Sequence, residues 1–219
     1  MTVRGVLFDV DGTLVDSNIA HAQAWHDTFA EAALDGGDVE RIRRLIGMGS
    51  DKLLPTAVGI DKHSPQGEQL AKRRAEIFKE HYLPHVRAFP GAHDLVETLR
   101  ARGLTLGVAT SAQPDELRAL LGIVDAEWLA DRAASADDVK SSKPDPDVVD
   151  AALHRIGLPA SVVVLIGDTP YDVEASLRGG IRVVALRCGG WGDDELRAAA
   201  AVYQDPADLL AHLGSSPLA

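Results

Sequence analysis

Val6-Leu7-Phe8-Asp9-Val10-Asp11-Gly12-Thr13 runs an apolar strand straight into two carboxylates, a glycine and a hydroxyl. Apolar residues facing both ways suit a strand covered on both sides, as in a parallel sheet. Similar runs recur at Leu104–Ala109, Val162–Ile166 and Ile181–Leu186, with a shorter one near Trp128–Ala130. Helical patterns lie between them, at Ala92–Arg102, Asp115–Leu121, Pro146–Ile156 and Tyr171–Arg178. Gly103, Gly157 and Gly179-Gly180 follow three of these, where a left-handed C-cap is expected. Strand and helix in alternation predict an α/β fold, a Rossmann-like core with a doubly wound parallel sheet.

One region breaks the rhythm. From Ser17 to about His85 there is no strand pattern, only helical periodicity around Ala20–Leu34, Val39–Ile46, Lys52–Val58 and Gln69–Tyr82. Pro84 and Pro90-Gly91 read as hinge or linker residues where this region ends. The expectation is an all-helical insertion over 17–85 in a core made of 1–16 and 86–219. In the tail, Asp193–Ala200 and Pro206–Leu213 read as helices and Val202-Tyr203 as a last short strand.

The 219 residues carry 22 Lys and Arg against 33 Asp and Glu, a net charge of −11 that disfavours general nucleic-acid binding. A single cysteine, Cys188, excludes an internal disulfide framework and fits a reducing compartment. The opening residues lack an apolar signal core, and no run reaches the roughly 18 apolar residues of a membrane span. The expectation is a soluble cytoplasmic protein; oligomeric state is not legible.

The chemistry lies where strands end. In open α/β sheets the ligand crevice is outside the carboxyl ends of the strands. Asp9 and Asp11, separated by one residue, point the same way from an extended backbone. Two such carboxylates need a cation or a division of labour, because close like charges resist joint ionisation. Gly12 permits a tight turn and close approach of a ligand; a simple turn after the strand is the competing reading. Gly167-Asp168-Thr169-Pro170-Tyr171-Asp172 repeats the grammar, and there the alternative is helix capping. Thr110-Ser111 offers hydroxyls and amides to phosphate oxygens, or forms a turn. Lys143-Pro144 brings an ammonium toward the same crevice, with Lys140 as the fallback and a solvated lysine as the alternative. Jointly these strand exits supply carboxylates, hydroxyls and one cation in an acidic chain. A hard divalent ion such as Mg²⁺ reconciles that set with a phosphorylated ligand.

In order, Asp9-Val10-Asp11-Gly12-Thr13, Thr110-Ser111, Lys143-Pro144 and Gly167-Asp168 with Asp172 resemble the four motifs of the haloacid dehalogenase superfamily, over nearly the whole chain. The helical insertion resembles its first-position cap. The resemblance implies that Asp9 attacks phosphorus and carries an aspartyl-phosphate, while Asp11 serves as general acid and base. It implies Mg²⁺ held by Asp9, Asp168 and the Asp11 backbone carbonyl, with Asp172 orienting that shell. Gly12, Thr110 and Ser111 would bind the phosphoryl oxygens and Lys143 would neutralise them.

Asp11 argues against the dehalogenase and phosphonate-cleaving branches, which lack that carboxylate. Asp16-Ser17, His21 and Trp25 resemble the start of a β-phosphoglucomutase cap. However, Ile46 and Ser50 replace the lysine and arginine of that family's cap loop, and Gly167 replaces the glutamate of its fourth motif. The resemblance is therefore to the phosphoglycolate and sugar phosphatase branch, acting on a small phosphorylated metabolite. The alternatives are a phosphosugar mutase and, in a different class, a non-catalytic phosphate-binding or regulatory module. Within the cap, His21, Arg44 and Lys52 are the candidates to touch substrate, with Gly47 and Gly49 bending the loop between the last two. Surface or core packing for His21 and solvation for the two cations are the competing readings.

Overall fold

A computed structural model describes residues 2–135 and 138–219. Its main sheet contains β1 (Gly5–Phe8), β4 (Thr105–Ala109), β5 (Ala133–Ala134), β6 (Val163–Gly167), β7 (Arg182–Leu186) and β8 (Ala201–Tyr203). The order is β5-β4-β1-β6-β7-β8, and every pairing is parallel. The chain runs outward from β1 to β4 and β5, then returns to β6 on the other side of β1. That reversal puts a topological switch point beside β1, where an open sheet forms its crevice.

Alternation along the strands divides the core in two. Val6, Phe8, Leu106, Val108, Val164 and Ile166 pack into one apolar cluster, with α5 (Ala92–Ala101), α6 (Pro114–Ile123) and α10 (Pro206–Ala211) covering that face. Leu7, Ala109, Val163, Leu165 and Val183 pack into the other, under α7 (Asp147–Ile156), α8 (Pro170–Arg178) and α9 (Asp193–Leu196). Both faces are dry, which is why the strands read as continuous apolar runs rather than alternating ones.

Between β2 (Val15–Asp16) and β3 (Arg87–Ala88) lie α1 (Asn18–Glu31), α2 (Val39–Arg43), α3 (Ser50–Val58) and α4 (Pro65–Ile77). These helices enclose a third apolar cluster around Trp25, Phe29, Ile42, Leu53, Leu54 and Leu70. The two segments that lead in and out pair with each other as an antiparallel ribbon, Val15 opposite Ala88 and Asp16 opposite Arg87. Two-residue strands carry no periodicity, so this ribbon has no sequence signature. The α4 helix begins earlier than its apolar pattern because Ser64 caps it, accepting from the Gly67 amide at 3.1 Å. It then changes at Phe78 into a π-helical turn, Phe78–Tyr82.

Two expectations need correction. Trp128–Ala130 is not a strand but part of a 3-10 segment, Glu127–Arg132, whose Leu129 enters the core. The edge strand follows it as Ala133–Ala134, two alanines recruited by hydrogen bonding to β4 and not by any β-forming tendency of their own. At Gly179-Gly180 only Gly180 is left-handed, with φ 71°.

Leu165 is fully buried and Leu177 is 52% exposed. Leu165→Ala should therefore lower the unfolding free energy by about 2–5 kcal/mol. Leu177→Ala should change it by less than about 0.5 kcal/mol, both read by urea denaturation.

Candidate active site

Asp9 leaves the C-terminal end of β1, at the centre of the sheet, and its amide donates to the Ile166 carbonyl of β6 at 2.8 Å. The carboxylate is met by the Lys143 ammonium, with Nζ 2.5 Å from Asp9 Oδ1 and 2.7 Å from Asp172 Oδ1. Asp168 lies alongside: Oδ1 accepts from Thr13 Oγ1 at 3.0 Å and Oδ2 from Asn18 Nδ2 at 2.9 Å. Asp172 also closes a capping box at the start of α8, where its Oδ2 accepts from Thr169 Oγ1 at 2.6 Å. The capping and the charge-pairing readings of this segment hold together. Gly12, at φ 73°, turns the chain where a Cβ would collide with both Asn18 and the Asp168 carboxylate.

The charge balance of this floor is uneven. Asp9, Asp168, Asp172 and Lys143 are all buried, and the one ammonium pairs with Asp9 and Asp172 while Asp168 accepts from Thr13 and Asn18. Burial, with the added repulsion of Asp172 and Asp11, pushes the Asp9 carboxyl up to about 8 despite Lys143. Burial and the neighbouring Asp172 and Asp9 also hold Asp168 well above the usual carboxylate range. For Lys143, burial opposes the charge, but Asp172 and Asp9 outweigh it and hold the ammonium above the ordinary lysine value. Asp9, Asp168 and Asp172 each offer an oxygen within 4.8 Å of the others, the hard donor set that a divalent cation takes. Asp172 Oδ1 is buried, with the Lys143 ammonium at 2.7 Å as its partner. Donor type and excess negative charge both fit a metal ion.

Asp11 faces away from this floor, into a cavity of about 420 Å³ between the helical insert and the sheet. Ser17 Oγ donates to its Oδ1 at 2.5 Å and His21 Nε2 lies 2.7 Å from the same oxygen. Burial would raise this carboxyl, but His21, Ser17 and Arg74 outweigh it and hold it below the usual value. His21 stacks on Phe78 at 4.0 Å, and Arg74 NH1 sits 3.3 Å from His21 Nδ1 and 2.8 Å from Glu116 on α6. Thr110 and Ser111 line the same cavity. The Thr110 hydroxyl accepts from the Ala112 amide at 3.1 Å, and Ser111 Oγ donates to the Gly47 carbonyl at 3.1 Å.

Arg44 and Lys52, expected as candidates to touch substrate, lie outside the cavity lining. Arg44 is held over the Trp191 ring at 4.7 Å and paired with Glu195 at 3.0 Å. Lys52 reaches the loop that carries Lys143, with Nζ 2.6 Å from the Ser142 carbonyl and 2.5 Å from Asp145. Both cations face acidic or carbonyl partners on the sheet side, which satisfies them away from the cavity. Of the two lysines proposed for the third motif position, Lys143 stands at Asp9, while Lys140 is exposed. Cys188 donates to the Gly12 carbonyl at 3.3 Å, and burial pushes its thiol up, so it is no nucleophile.

The sequence profile of the haloacid dehalogenase-like hydrolases matches residues 6–186. The chain belongs to this family. A phosphoglycolate phosphatase from Rhodospirillum rubrum is 33% identical, over 85% of this chain and 80% of that protein. An N-acetylmuramic acid 6-phosphate phosphatase from Pseudomonas aeruginosa is 30% identical, over 98% and 89%. A hydrolase from Pseudomonas syringae superposes with a TM-score of 0.89 at 34% identity, covering 97% of this chain and 98% of that one.

The site also contains residues that no sequence motif marks. Asn18 bridges Asp168 and the Gly189 carbonyl, at 2.9 and 3.1 Å, and Arg74 ties the insert to Glu116. Their partners lie 150, 171 and 42 positions away, so only the fold brings them together. Removing Lys143 strands buried carboxylates. Lys143→Met should lower stability by about 3–5 kcal/mol in metal-free buffer. Lys140→Met should stay within about 0.5 kcal/mol, both from chemical denaturation.

Proposed function

We propose that this protein is a Mg²⁺-dependent phosphatase of small phosphomonoesters that works through an aspartyl-phosphate, with residues 17–85 as a cap over a core of 1–16 and 86–219. The observation that carries the reading is the buried floor of three carboxylates against one ammonium, opening beside Asp11 into a cavity between the helical insert and the sheet. Such a floor repels a phosphate dianion unless a cation joins it. Asp9 and Asp168, with the Asp11 backbone carbonyl, are the groups that would hold Mg²⁺, with Asp172 orienting them, and the ion when bound supplies positive charge to the phosphoryl oxygens.

The chain's own groups then divide the work. An Asp9 oxygen attacks phosphorus as the ester P–O bond breaks, giving the acyl phosphate. The leaving oxygen takes a proton from Asp11, whose carboxyl is held in place by His21 Nε2 at 2.7 Å and Ser17 Oγ. Water then attacks the acyl phosphate, its proton passes to the Asp11 carboxylate left by the first step, and the P–O bond to Asp9 breaks to release inorganic phosphate. Lys143 and the Gly12 turn approach the transferring group from the sheet side, and Thr110 and Ser111 approach it from the cavity wall. The relatives named as phosphoglycolate and N-acetylmuramic acid 6-phosphate phosphatases support a small phosphorylated metabolite as substrate. A cytoplasmic setting without nucleic-acid partners belongs to the same proposal. No described helix is long and apolar enough to cross a membrane.

Phosphate release from a panel of sugar phosphates, phosphoglycolate, nucleotides and an aryl phosphate should require Mg²⁺ and stop with chelator. Asp9→Asn should reduce it by about a thousandfold or more while the protein stays folded. Asp11→Asn should reduce it by about 10²–10⁴-fold on substrates with a poor leaving group. Undiminished turnover by Asp9→Asn would overturn the assignment of the nucleophile. Isomerisation of β-glucose 1-phosphate without net phosphate release would favour the mutase instead.

A further inference from the structure

The cavity above Asp9 and Asp11 is roomier than the phosphoryl group needs, and about 420 Å³ falls in the range that holds a ring-sized ligand. Its far side is built by the insert. Glu68, Ala71, Lys72 and Ala75 line it from α4 at i, i+3, i+4 and i+7, a single helical face. The two alanines leave space opposite Trp25 of α1 and Leu53 of α3, which give the chamber an apolar wall.

Lys62 and His63 line the cavity from the bend between α3 and α4. That bend is fixed by its own hydrogen bonds. The His63 amide donates to Asp61 Oδ1 at 2.8 Å, and Ser64 Oγ donates to the Asp61 carbonyl at 2.6 Å. Gly67 lets it lie directly on the first turn of α4, since a Cβ there would strike the Asp61 carbonyl and the Lys62 backbone.

Every other charge pair on this cavity is closed: Asp9 with Lys143, Asp11 with His21, Arg74 with Glu116. Among the described residues, Lys62 and Lys72 have no carboxylate within 4.0 Å, although the Glu68–Lys72 spacing on α4 is one that favours pairing. Two unpaired ammonium groups against the single Glu68 give the insert end of the chamber a positive balance, in a chain whose net charge is −11.

We propose that Lys62 and Lys72 determine specificity by binding a second anionic group, a carboxylate or a second phosphate, on a leaving group whose body lies between Trp25, Leu53 and Ala71. The inference rests on the phosphatase reading and narrows its substrate class to anionic, ring-sized leaving groups.

Matched pairs of one carbon skeleton test it: 6-phosphogluconate against glucose 6-phosphate for the carboxylate, and fructose 1,6-bisphosphate against fructose 6-phosphate for the phosphate. The wild type should favour the anionic member of at least one pair by about tenfold or more in kcat/KM. The pair that responds identifies the anion. Lys62→Ala combined with Lys72→Ala should bring that ratio down toward one, chiefly through KM, and the corresponding arginine variants should restore it. The same pairs titrated into Asp9→Asn by calorimetry give a ratio of Kd values that needs no turnover. Ratios near one in the wild type, or a ratio that survives the double alanine change, would overturn the proposal. Absence of phosphate release from every ester, with the Kd ratio intact, would instead count against the phosphatase reading alone.

Discussion

Lys143 is buried between Asp9 and Asp172, with Asp168 beside them, and much of the molecule follows from keeping that arrangement together. A buried ion pair is strongly bound only when geometry and further hydrogen bonds satisfy the remaining lone pairs. Here one ammonium pairs with two of the three carboxylates, and the rest of the site supplies neutral donors: Thr13 and Asn18 to Asp168, and Thr169 to Asp172. Even so, charge remains uncompensated. A site in this condition takes up protons or a cation, and the oxygen-only donor set suits a hard divalent ion.

The sheet explains how three distant segments arrive at one point. Asp9, Thr110 and Asp168 each follow directly on a strand or end one, and β4, β1 and β6 are neighbours, so their C-terminal ends converge. The helical insert then contacts each of these loops. Ser111 meets Gly47, Ser142 meets Gly49 at 2.9 Å, and Tyr171 donates to the Arg44 carbonyl at 2.6 Å. Contacts of this kind couple the position of the insert to the loops that carry the reactive groups. Under the aspartyl-phosphate mechanism proposed above, that coupling would be the natural means of shielding the intermediate from untimely water.

The core was legible because its signals are local. Val6–Phe8 and Val163–Ile166 are apolar on both faces, and each runs at once into Asp and Gly residues that a reader meets together. What was not legible depends on pairing at a distance. The edge strand Ala133–Ala134 has no β-forming residues, and the Val15–Asp16 and Arg87–Ala88 ribbon is defined only by its partner. Charged residues of the insert were the hardest to sort. Arg44 and Lys52 sit near flexible glycines and suggested substrate contact, yet Glu195 and Asp145 draw them to the sheet side. Lys62, Lys72 and Arg74 look in sequence like any solvated charges, and only the fold places them in the lining of the cavity.

The central claim is that the buried surplus of carboxylates exists to hold a divalent cation. Calorimetric titration of Mg²⁺ into metal-free protein, alongside Asp168→Asn, tests it most directly. Saturable binding of one ion per chain, lost in the variant while its fold persists, is the predicted result. No saturable binding by the wild type, or equal binding by Asp168→Asn, would contradict the account.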